Sequence, residues 1–292
     1  MMPPVRFEKW QALGNDYLIV EREALPFALT AGRVRRLCDP HFGPGGDGVL
    51  ELAPPSRPGD VADLRIFNPD GSEAELSGNG AREAVLYLRR SGWTSSDTFS
   101  ILTAAGEIRP TITGPTTCRV DMGRARLRSR DFPDGPPDGR SELRAGERDW
   151  RFQHVSIGNP QCAIRMADRA ELEALDLAAI GPLVEHAALF PNRTNTSFWC
   201  ELAPATIRAR IFERGVGETL ASGTGASGAA VAYVLRGGDS PVTVRLDGGE
   251  LQVAVDEHLR VDLTGWAVPV YTATLSTESL DALERLGPDD VG

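Results

Sequence analysis

The stretch "FNPDGSEAELSGNGAREAV", residues 67–85, recurs in altered form as "FERGVGETLASGTGASGAA", residues 212–230. Both copies contain Ser-Gly-x-Gly-Ala, beginning at Ser77 and Ser222, which lie 145 residues apart in a chain of 292. At this offset residues 65–81 align with residues 210–226 without a gap, and eight of the seventeen positions are identical. The sequence therefore predicts two copies of one structural unit.

Length and charge limit the class of protein. A chain of 292 residues can hold one or two domains, and the repeat favours two. A net charge of −10 argues against nucleic acid or an anionic membrane surface as a partner. The chain contains no run of about 18 apolar residues, and its first ten residues lack the apolar core of a signal peptide. We expect a cytoplasmic protein; the sequence does not decide between a monomer and a homodimer.

The sequence offers few residues that could hold a cofactor. Lys9, near the N-terminus, is the only lysine beside thirty arginines, so a Schiff base with pyridoxal phosphate is not expected. The four cysteines form no C-x-x-C pair, and the four histidines show no metal-binding spacing. We expect no cofactor and no metal, and we expect the cysteines to be free thiols.

The pattern of elements predicts an α+β fold with two pseudo-symmetric lobes, each a curved, mostly antiparallel sheet around a central helix. The residues after Gly80 and after Gly225 have the pattern of those two helices, and "ELEALDLAAIGPLVEH" predicts another. The segment 130–140, rich in Pro, Gly and Asp, predicts a loop or interdomain linker. We place the N-terminal lobe at residues 1–126, joined by a C-terminal strand at 267–280, and the C-terminal lobe at 127–266.

Each Ser-Gly-x-Gly lies at the predicted start of a helix. The first-turn N–H groups of a helix have no intrahelical partner and lie at the positive end of its dipole, so each copy can bind an anion. Neither copy fits the nucleotide-binding P-loop pattern. Two such sites facing one ligand would grip a carboxylate and place Ser77 and Ser222 on opposite faces of one carbon. A racemase needs this arrangement, because one group removes a proton and the other delivers one.

Five stretches resemble the signatures of the diaminopimelate epimerase family: "GNDYLIV", "FNPDGSEAELSGNGAR", "IGNPQC", "RTNTSF" and "ERGVGETLASGTGA". The resemblance extends over residues 5–275. It implies cofactor-independent epimerisation of an amino acid in lysine and cell-wall biosynthesis. It also implies an active-site cleft between the two lobes, with the C-terminal strand crossing back to the first lobe.

The family uses one cysteine in each lobe as acid and base, and these positions correspond to Ser77 and Ser222. An aliphatic hydroxyl is about 7 pKa units less acidic than a thiol, which amounts to about 10 kcal/mol. Helix dipoles contribute only about 1–2 kcal/mol. A serine base therefore needs a partner that takes its proton. The sequence offers Glu213, for one side only, and predicts that epimerisation is impaired.

The resemblance also implies a set of substrate-binding residues. Arg214 suits a distal carboxylate and Glu213 a distal ammonium. The backbone N–H groups around Gly78-Asn79 and Gly223-Thr224 would hold the α-carboxylate. Structural roles compete with these, since the two serines can be helix N-caps and Asn is common in turns. The asparagines at the family's binding positions are Asn15, Asn68, Asn159 and Asn195.

Three explanations fit the serines. They are an introduced double Cys-to-Ser change, or a natural serine-type epimerase, or a relative with another activity. That last class includes an isomerase or dehydratase of a small amino or hydroxy acid and a silent ligand-binding protein. The family often has cysteine also where this chain has Glu83 and Ser227, which argues against an introduced double change. Of the other two explanations, we favour the natural serine-type epimerase.

Overall fold

The computed structural model describes residues 4–287 and divides into two compact units. Unit 1 comprises the chain up to Val120 together with the segment from Trp266 onward, and unit 2 comprises Asp121–Gly265. None of the described helices is long and apolar enough to cross a membrane.

Unit 1 is built on a mixed sheet with strand order β19-β1-β2-β3-β4-β6-β7, and the short β5 pairs with β4. Its strands are β1 (Arg6–Ala12), β2 (Asn15–Glu21), β3 (Val49–Ala53), β4 (Asp60–Phe67), β5 (Glu73–Ala74), β6 (Ser100–Thr103), β7 (Gly106–Ile108) and β19 (Val268–Thr274). The hairpin of β8 (Thr111–Gly114) and β9 (Thr117–Arg124) belongs to the sheet described next, and Val120, within β9, is where this part of unit 1 ends. The helices are α1 (Ala31–Cys38), α2 (Gly78–Arg90) and α6 (Thr277–Arg285).

Unit 2 repeats the plan on an 11-stranded sheet with strand order β10-β11-β12-β13-β14-β16-β17-β18-β9-β8, and β15 pairs with β14. Its strands are β10 (Arg140–Ala145), β11 (Arg148–Ser156), β12 (Pro160–Arg165), β13 (Asn195–Ala203), β14 (Thr206–Glu213), β15 (Gly217–Thr219), β16 (Val242–Leu246), β17 (Gly249–Val255) and β18 (Arg260–Trp266). The helices are α3 (Arg169–Glu173), α4 (Leu177–Glu185) and α5 (Gly223–Val234).

Six strands of each sheet match in order and direction. In unit 1, β1–β2, β3–β4 and β6–β7 are antiparallel neighbours, whereas β2–β3 and β4–β6 are parallel. In unit 2, β11–β12, β13–β14 and β16–β17 are likewise antiparallel, whereas β12–β13 and β14–β16 are parallel. Parallel neighbours need a crossover, and α2 and α5 lie in equivalent crossovers. This confirms the predicted α+β fold with two repeated lobes; both sheets are mixed.

Both crossover helices are buried against their own sheet. Helix α2 packs on β1, β2 and β3, and α5 packs on six strands of unit 2. Small residues in α5 permit this close approach. A Cβ atom on Gly228 would lie 2.8 Å from Gln161 Cβ, and one on Gly225 would lie 2.9 Å from Ile211 Cγ2. The N-termini of both helices are therefore held rigidly on their sheets.

Several details differ from the sequence-based expectation. The segment expected as one helix is two, because Asp176 caps the start of α4 by accepting a hydrogen bond from Ala179 N. Strand β3 and helix α6 were not predicted. The segment 130–140 is irregular, as expected, and lies within unit 2. Strand β19 pairs antiparallel with β1.

Helix α2 buries two consecutive charged side chains, Arg82 and Glu83, completely. Arg82 donates to Gly78 O at 2.8 Å and to Asn79 Oδ1 at 2.6 Å, which ties its guanidinium to the first turn of the helix. Burial raises the pKa of the Glu83 carboxyl well above its usual value. The folded protein therefore keeps a proton on Glu83 at pH values where the unfolded chain has lost it.

Linkage gives a test of this burial. Above about pH 4.5 the unfolded chain releases the Glu83 proton and the folded protein does not, so stability falls with rising pH by up to about 1.4 kcal/mol per unit. We expect Glu83→Gln to flatten the urea-unfolding free energy between pH 5 and 8. The exposed Glu75→Gln serves as the control and should keep the wild-type slope. An unchanged slope in Glu83→Gln would mean that Glu83 is ionised in the folded state.

Candidate functional site

Ser77 and Ser222 are the N-caps of the two buried crossover helices. Both have extended backbone, and each hydroxyl accepts a hydrogen bond three residues ahead, from Gly80 N at 3.1 Å and from Gly225 N at 3.2 Å. Gly78-Asn79 and Gly223-Thr224 supply the other N–H groups of these first turns. Each N-terminus thus combines a hydroxyl with the donor end of a helix dipole.

The identical residues of the repeat also form the same ion pair in each unit. Arg65 contacts Glu73 at 2.8 Å, linking β4 to β5, and Arg210 contacts Glu218 at 2.7 Å, linking β14 to β15. These partly exposed pairs contribute only modestly to stability. Their position explains their repetition, because they anchor the short strand that leads into each Ser-Gly-x-Gly turn.

Tyr17 is the hydroxyl-bearing neighbour of Ser77. It lies on β2, is 5% exposed, and donates from Oη to Ser77 Oγ at 3.2 Å. Gly48 makes room for its ring, since a Cβ atom there would lie 2.5 Å from Tyr17 Cε1 and 2.3 Å from the carbonyl oxygen of Phe67. The Tyr17 hydroxyl is therefore held against the serine by the surrounding backbone.

Asn15 and Asn79 lie together beside this serine. Asn79 Nδ2 donates to Asn15 Oδ1 at 3.1 Å, and Asn15 Nδ2 donates to Asp47 Oδ2 at 2.9 Å. Since Asn79 Oδ1 accepts from Arg82, one hydrogen-bonded chain runs from the buried helix interior to Asp47. The chain fixes the orientation of both amides.

Glu213 is the neighbour of Ser222. It ends β14, and the hydroxyl of Thr219 donates to its Oε1 at 3.0 Å. Burial raises the pKa of the Glu213 carboxyl, while hydrogen bonds from the hydroxyls of Thr219 and Ser222 lower it, with burial the larger effect. The pKa of the Glu213 carboxyl thus responds to the Ser222 hydroxyl.

Asn159 and Thr224 lie together in unit 2. Asn159 Nδ2 donates to Thr224 Oγ1 at 3.2 Å, and Gln161 Nε2 donates to Asn159 Oδ1 at 2.7 Å. Gln161 is completely buried and orients Asn159. The Thr224 hydroxyl lies 3.5 Å from Ser222 Oγ, which links this group to the serine.

Asn195 and Arg214 form the third group of unit 2. Asn195 is buried; its Oδ1 accepts from Arg214 N at 2.8 Å and its Nδ2 donates to Pro160 O at 3.1 Å. Arg214 uses one guanidinium N–H for Asn192 O at 2.8 Å. Asn195 thus positions the turn that carries Arg214. Asn68 makes a separate contact in unit 1, where it donates to Ser72 Oγ at 2.9 Å.

Other groups that could replace the family's cysteines lie elsewhere. All four cysteines are buried free thiols, and burial raises the pKa of Cys38 and of Cys118 to about 12. His154 contacts Ser129 at 3.0 Å, and burial lowers its pKa to about 4. Over residues 4–287 no cluster of three or more His, Cys, Asp or Glu side chains is placed to hold a metal ion.

The structure brings most predicted residues into two groups, one around Ser77 and one around Ser222. Sequence analysis missed Tyr17 and Thr219. The first could have been found by strand periodicity, because Tyr17 follows Asn15 by two residues on β2 and so lies on the same face. Thr219 gave no such signal, since its contact depends on the pairing of β15 with β14.

Solved structures show the class of fold. A probable proline racemase from Agrobacterium radiobacter K84 superposes with a TM-score of 0.68 at 16% identity, covering 94% of this chain and 93% of that one. A phenazine biosynthesis protein of the PhzF family from Bacillus anthracis gives 0.67 at 17% identity, covering 94% and 100%. The chain thus has the two-lobed α+β fold that these proteins share.

The family follows from closer relatives. The diaminopimelate epimerase model matches residues 7–128 and 153–268. A diaminopimelate epimerase of Synechococcus sp. (strain JA-2-3B'a(2-13)) is 41% identical over 284 residues, covering 94% of this chain and 99% of the relative. One from Magnetococcus marinus (strain ATCC BAA-1437 / JCM 17883 / MC-1) is 40% identical over 274 residues, covering 92% and 96%. This chain belongs to the diaminopimelate epimerase family, which confirms the resemblance.

Asn195 gives a test of the geometry in unit 2. Asn195→Asp removes the side-chain donor to Pro160 O and sets a carboxyl oxygen against that buried carbonyl, which costs about 1–3 kcal/mol. We expect a loss of this size in the free energy of unfolding in urea. The matched control is Asn68→Asp, at a partly exposed turn, where we expect a change within about 0.5 kcal/mol. Equal effects at both positions would contradict the buried role of Asn195.

Proposed function

We propose that the protein is a cofactor-independent isomerase that epimerises diaminopimelate at one α-carbon, converting the LL to the meso form in lysine biosynthesis. Family membership supports the substrate, and the chemistry is supported by one observation above all: each of two equivalent helix N-termini carries a serine hydroxyl bonded to its first turn. Ser77 and Ser222 act as the acid–base pair. The protein acts on this small amino acid without nucleic acid or membrane, in the cytoplasm.

The Glu213 carboxyl makes a serine base energetically accessible. Forming a free alkoxide instead of a thiolate costs about 10 kcal/mol more, of which a helix dipole recovers about 1–2 kcal/mol. When Ser222 passes its own proton to Glu213 while taking the α-proton, no free alkoxide forms. The proton ends on a carboxyl whose pKa burial has raised, which further favours the transfer.

Substrate binding follows from the residues around the two serines. The N–H groups of Gly78-Asn79 and Gly223-Thr224 hold the α-carboxylate, as helix N-termini bind anions. Arg214 takes the distal carboxylate, since a guanidinium can bind it through two N–H groups. Glu213 accepts the proton of Ser222. The asparagines that orient the substrate and its binding loops are Asn15, Asn68, Asn159 and Asn195.

Exchange of the α-proton tests the function directly. With purified protein and LL- or meso-diaminopimelate in D2O, we expect deuterium to enter the α-position and the two isomers to interconvert, followed by NMR. The variant Ser77→Cys/Ser222→Cys should exchange faster, because thiolates form far more readily near neutral pH.

The outcomes separate the alternatives. Binding of diaminopimelate by calorimetry without exchange would identify a silent binding protein. Exchange only by the double cysteine variant would show a diaminopimelate site disabled by its hydroxyls. If neither protein binds or exchanges diaminopimelate, the substrate is wrong, and an isomerase or dehydratase of another small amino or hydroxy acid becomes the explanation.

The role of Glu213 predicts a pH dependence. A base must be ionised, so we expect kcat/KM to fall as pH is lowered through a pKa that burial has raised above 4.5. Glu213→Gln should lose this dependence and reduce proton exchange about 100-fold or more. Glu218→Gln, which removes the exposed partner of Arg210, is the control and should keep the wild-type profile. A wild-type profile in Glu213→Gln would contradict the assignment.

A further inference from the structure

Glu185 is a buried acidic side chain to which the proposed chemistry gives no role. It is the last residue of α4 and is 4% exposed. Its Oε1 accepts a hydrogen bond from Arg193 Nη1 at 3.0 Å and another from Gly215 N at 3.0 Å. Acidic side chains are rarely buried to this extent unless they are paired. A single carboxyl oxygen at the end of a helix therefore joins two separate loops of unit 2.

The first of these loops leads into β13. Arg193 in this loop has a φ angle of +62°, in the left-handed region that residues other than glycine seldom adopt. Glu185 holds the loop there, because its side chain binds Arg193 and its backbone oxygen accepts from Thr194 N at 3.2 Å. The next residue is Asn195, whose Oδ1 accepts from Arg214 N at 2.8 Å. The end of α4 thus fixes the loop that supplies Asn195.

The second loop is the turn that carries Arg214. Asn195 holds the backbone N–H of Arg214, and Glu185 holds that of Gly215, so two successive N–H groups bind buried side chains. The guanidinium donates from Nη1 to Asn192 O at 2.8 Å. A guanidinium has five N–H groups, and this bond uses one of them. The others can meet a carboxylate of the substrate.

We propose that Glu185 is a positioning residue for the distal carboxylate of the substrate: it holds the turn that carries Arg214 and so sets where the guanidinium meets that carboxylate. The inference rests on the proposed binding of diaminopimelate and adds a residue that acts through Arg214. All of the residues involved belong to unit 2.

The chemistry of the pair explains why such positioning matters. A guanidinium binds a carboxylate best through two parallel N–H···O bonds, and this fork geometry is lost when either group turns. The backbone of Arg214 leaves β14 in a tight turn, where Val216 N donates to Glu213 O at 3.0 Å. Without Glu185, Gly215 N loses its acceptor and the turn loses one of its two side-chain anchors.

A purely structural role for Glu185 makes a different prediction about binding. If the carboxyl only stabilised the fold, its loss would leave fewer folded molecules, each with the wild-type site. Calorimetry would then find fewer binding sites per chain and an unchanged Kd. If Glu185 positions Arg214, every folded molecule has a weaker site, so Kd rises and the number of sites stays the same.

The variant Glu185→Ala, titrated with LL-diaminopimelate in a calorimeter, separates these two roles. Gly215 and Arg193 are both exposed, so water can reach the groups that the variant leaves without their acceptor, and we expect it to fold. We expect Kd to rise about 10-fold or more at the wild-type number of sites, as for the loss of a hydrogen bond to a charged group. Glu185→Gln keeps an oxygen acceptor and should restore most of the affinity.

Arg214→Ala shows whether the effect passes through the guanidinium. This variant should weaken binding at least as much as Glu185→Ala does. Adding Glu185→Ala to Arg214→Ala should then change Kd little further, because the group that Glu185 positions is already missing. Independent contributions would multiply instead.

The matched control is Glu173→Ala. Glu173 is the last residue of α3, as Glu185 is of α4, but it pairs with Arg208, at 2.9 Å. This variant should keep the wild-type Kd. The proposal is overturned if Glu185→Ala keeps that Kd, or if its effect multiplies in full with that of Arg214→Ala.

The same titration separates this inference from the proposed function. A wild-type protein that does not bind diaminopimelate refutes the substrate and, with it, the role of Glu185. Wild-type binding without exchange of the α-proton refutes the epimerisation, and the effect of Glu185→Ala on Kd still decides the role of Glu185. Wild-type binding that Glu185→Ala leaves unchanged refutes the role of Glu185 alone.

Discussion

The structure depends on one interaction that occurs once in each unit: a serine hydroxyl that caps the N-terminus of a buried helix. Ser77 and Ser222 cap α2 and α5, and each cap orients a first turn whose N–H groups have no partner within the helix. An N-cap contributes about 1 kcal/mol to stability, so each serine contributes to the fold as well as carrying the acid–base role that we propose for it. The serine oxygen accepts from Gly80 N in α2 and from Gly225 N in α5. The remaining hydrogen-bonding positions of each hydroxyl are open to the neighbouring side chains.

Those neighbours decide what each serine can do. A thiol has a pKa low enough to ionise near neutral pH, whereas a serine hydroxyl needs a neighbouring base that takes its proton. The chain supplies a carboxyl at Ser222 and a phenol at Ser77. Two units that share a six-strand order thus place different side chains beside equivalent serines. The repeat puts both serines at equivalent helix N-caps. Their surroundings differ, because Tyr17 lies beside Ser77 and Glu213 affects Ser222.

The sequence was sufficient to predict the repeat, the two lobes and most residues near the serines. The repeated Arg65–Glu73 and Arg210–Glu218 pairs show why, since identical residues make identical contacts in each unit. The missed features depend on tertiary contacts. Strand β3 is short and almost wholly buried, so it shows no alternation of polar and apolar residues. The bond from Tyr17 to Ser77 joins residues sixty positions apart, which no local pattern records.

A serine base at Ser222 requires a hydrogen bond to the Glu213 carboxyl through which the serine can lose its proton. Carbon-13 NMR titration of the Glu213 carboxyl, in the wild type and in Ser222→Ala, tests it most directly. Ser227→Ala removes another hydroxyl of α5, one that bonds Gly223 O, and serves as the control. We predict a wild-type pKa above 4.5 that rises further in Ser222→Ala and not in Ser227→Ala, because only the first loses a bond that lowers it. An identical Glu213 pKa in all three proteins would contradict the pairing.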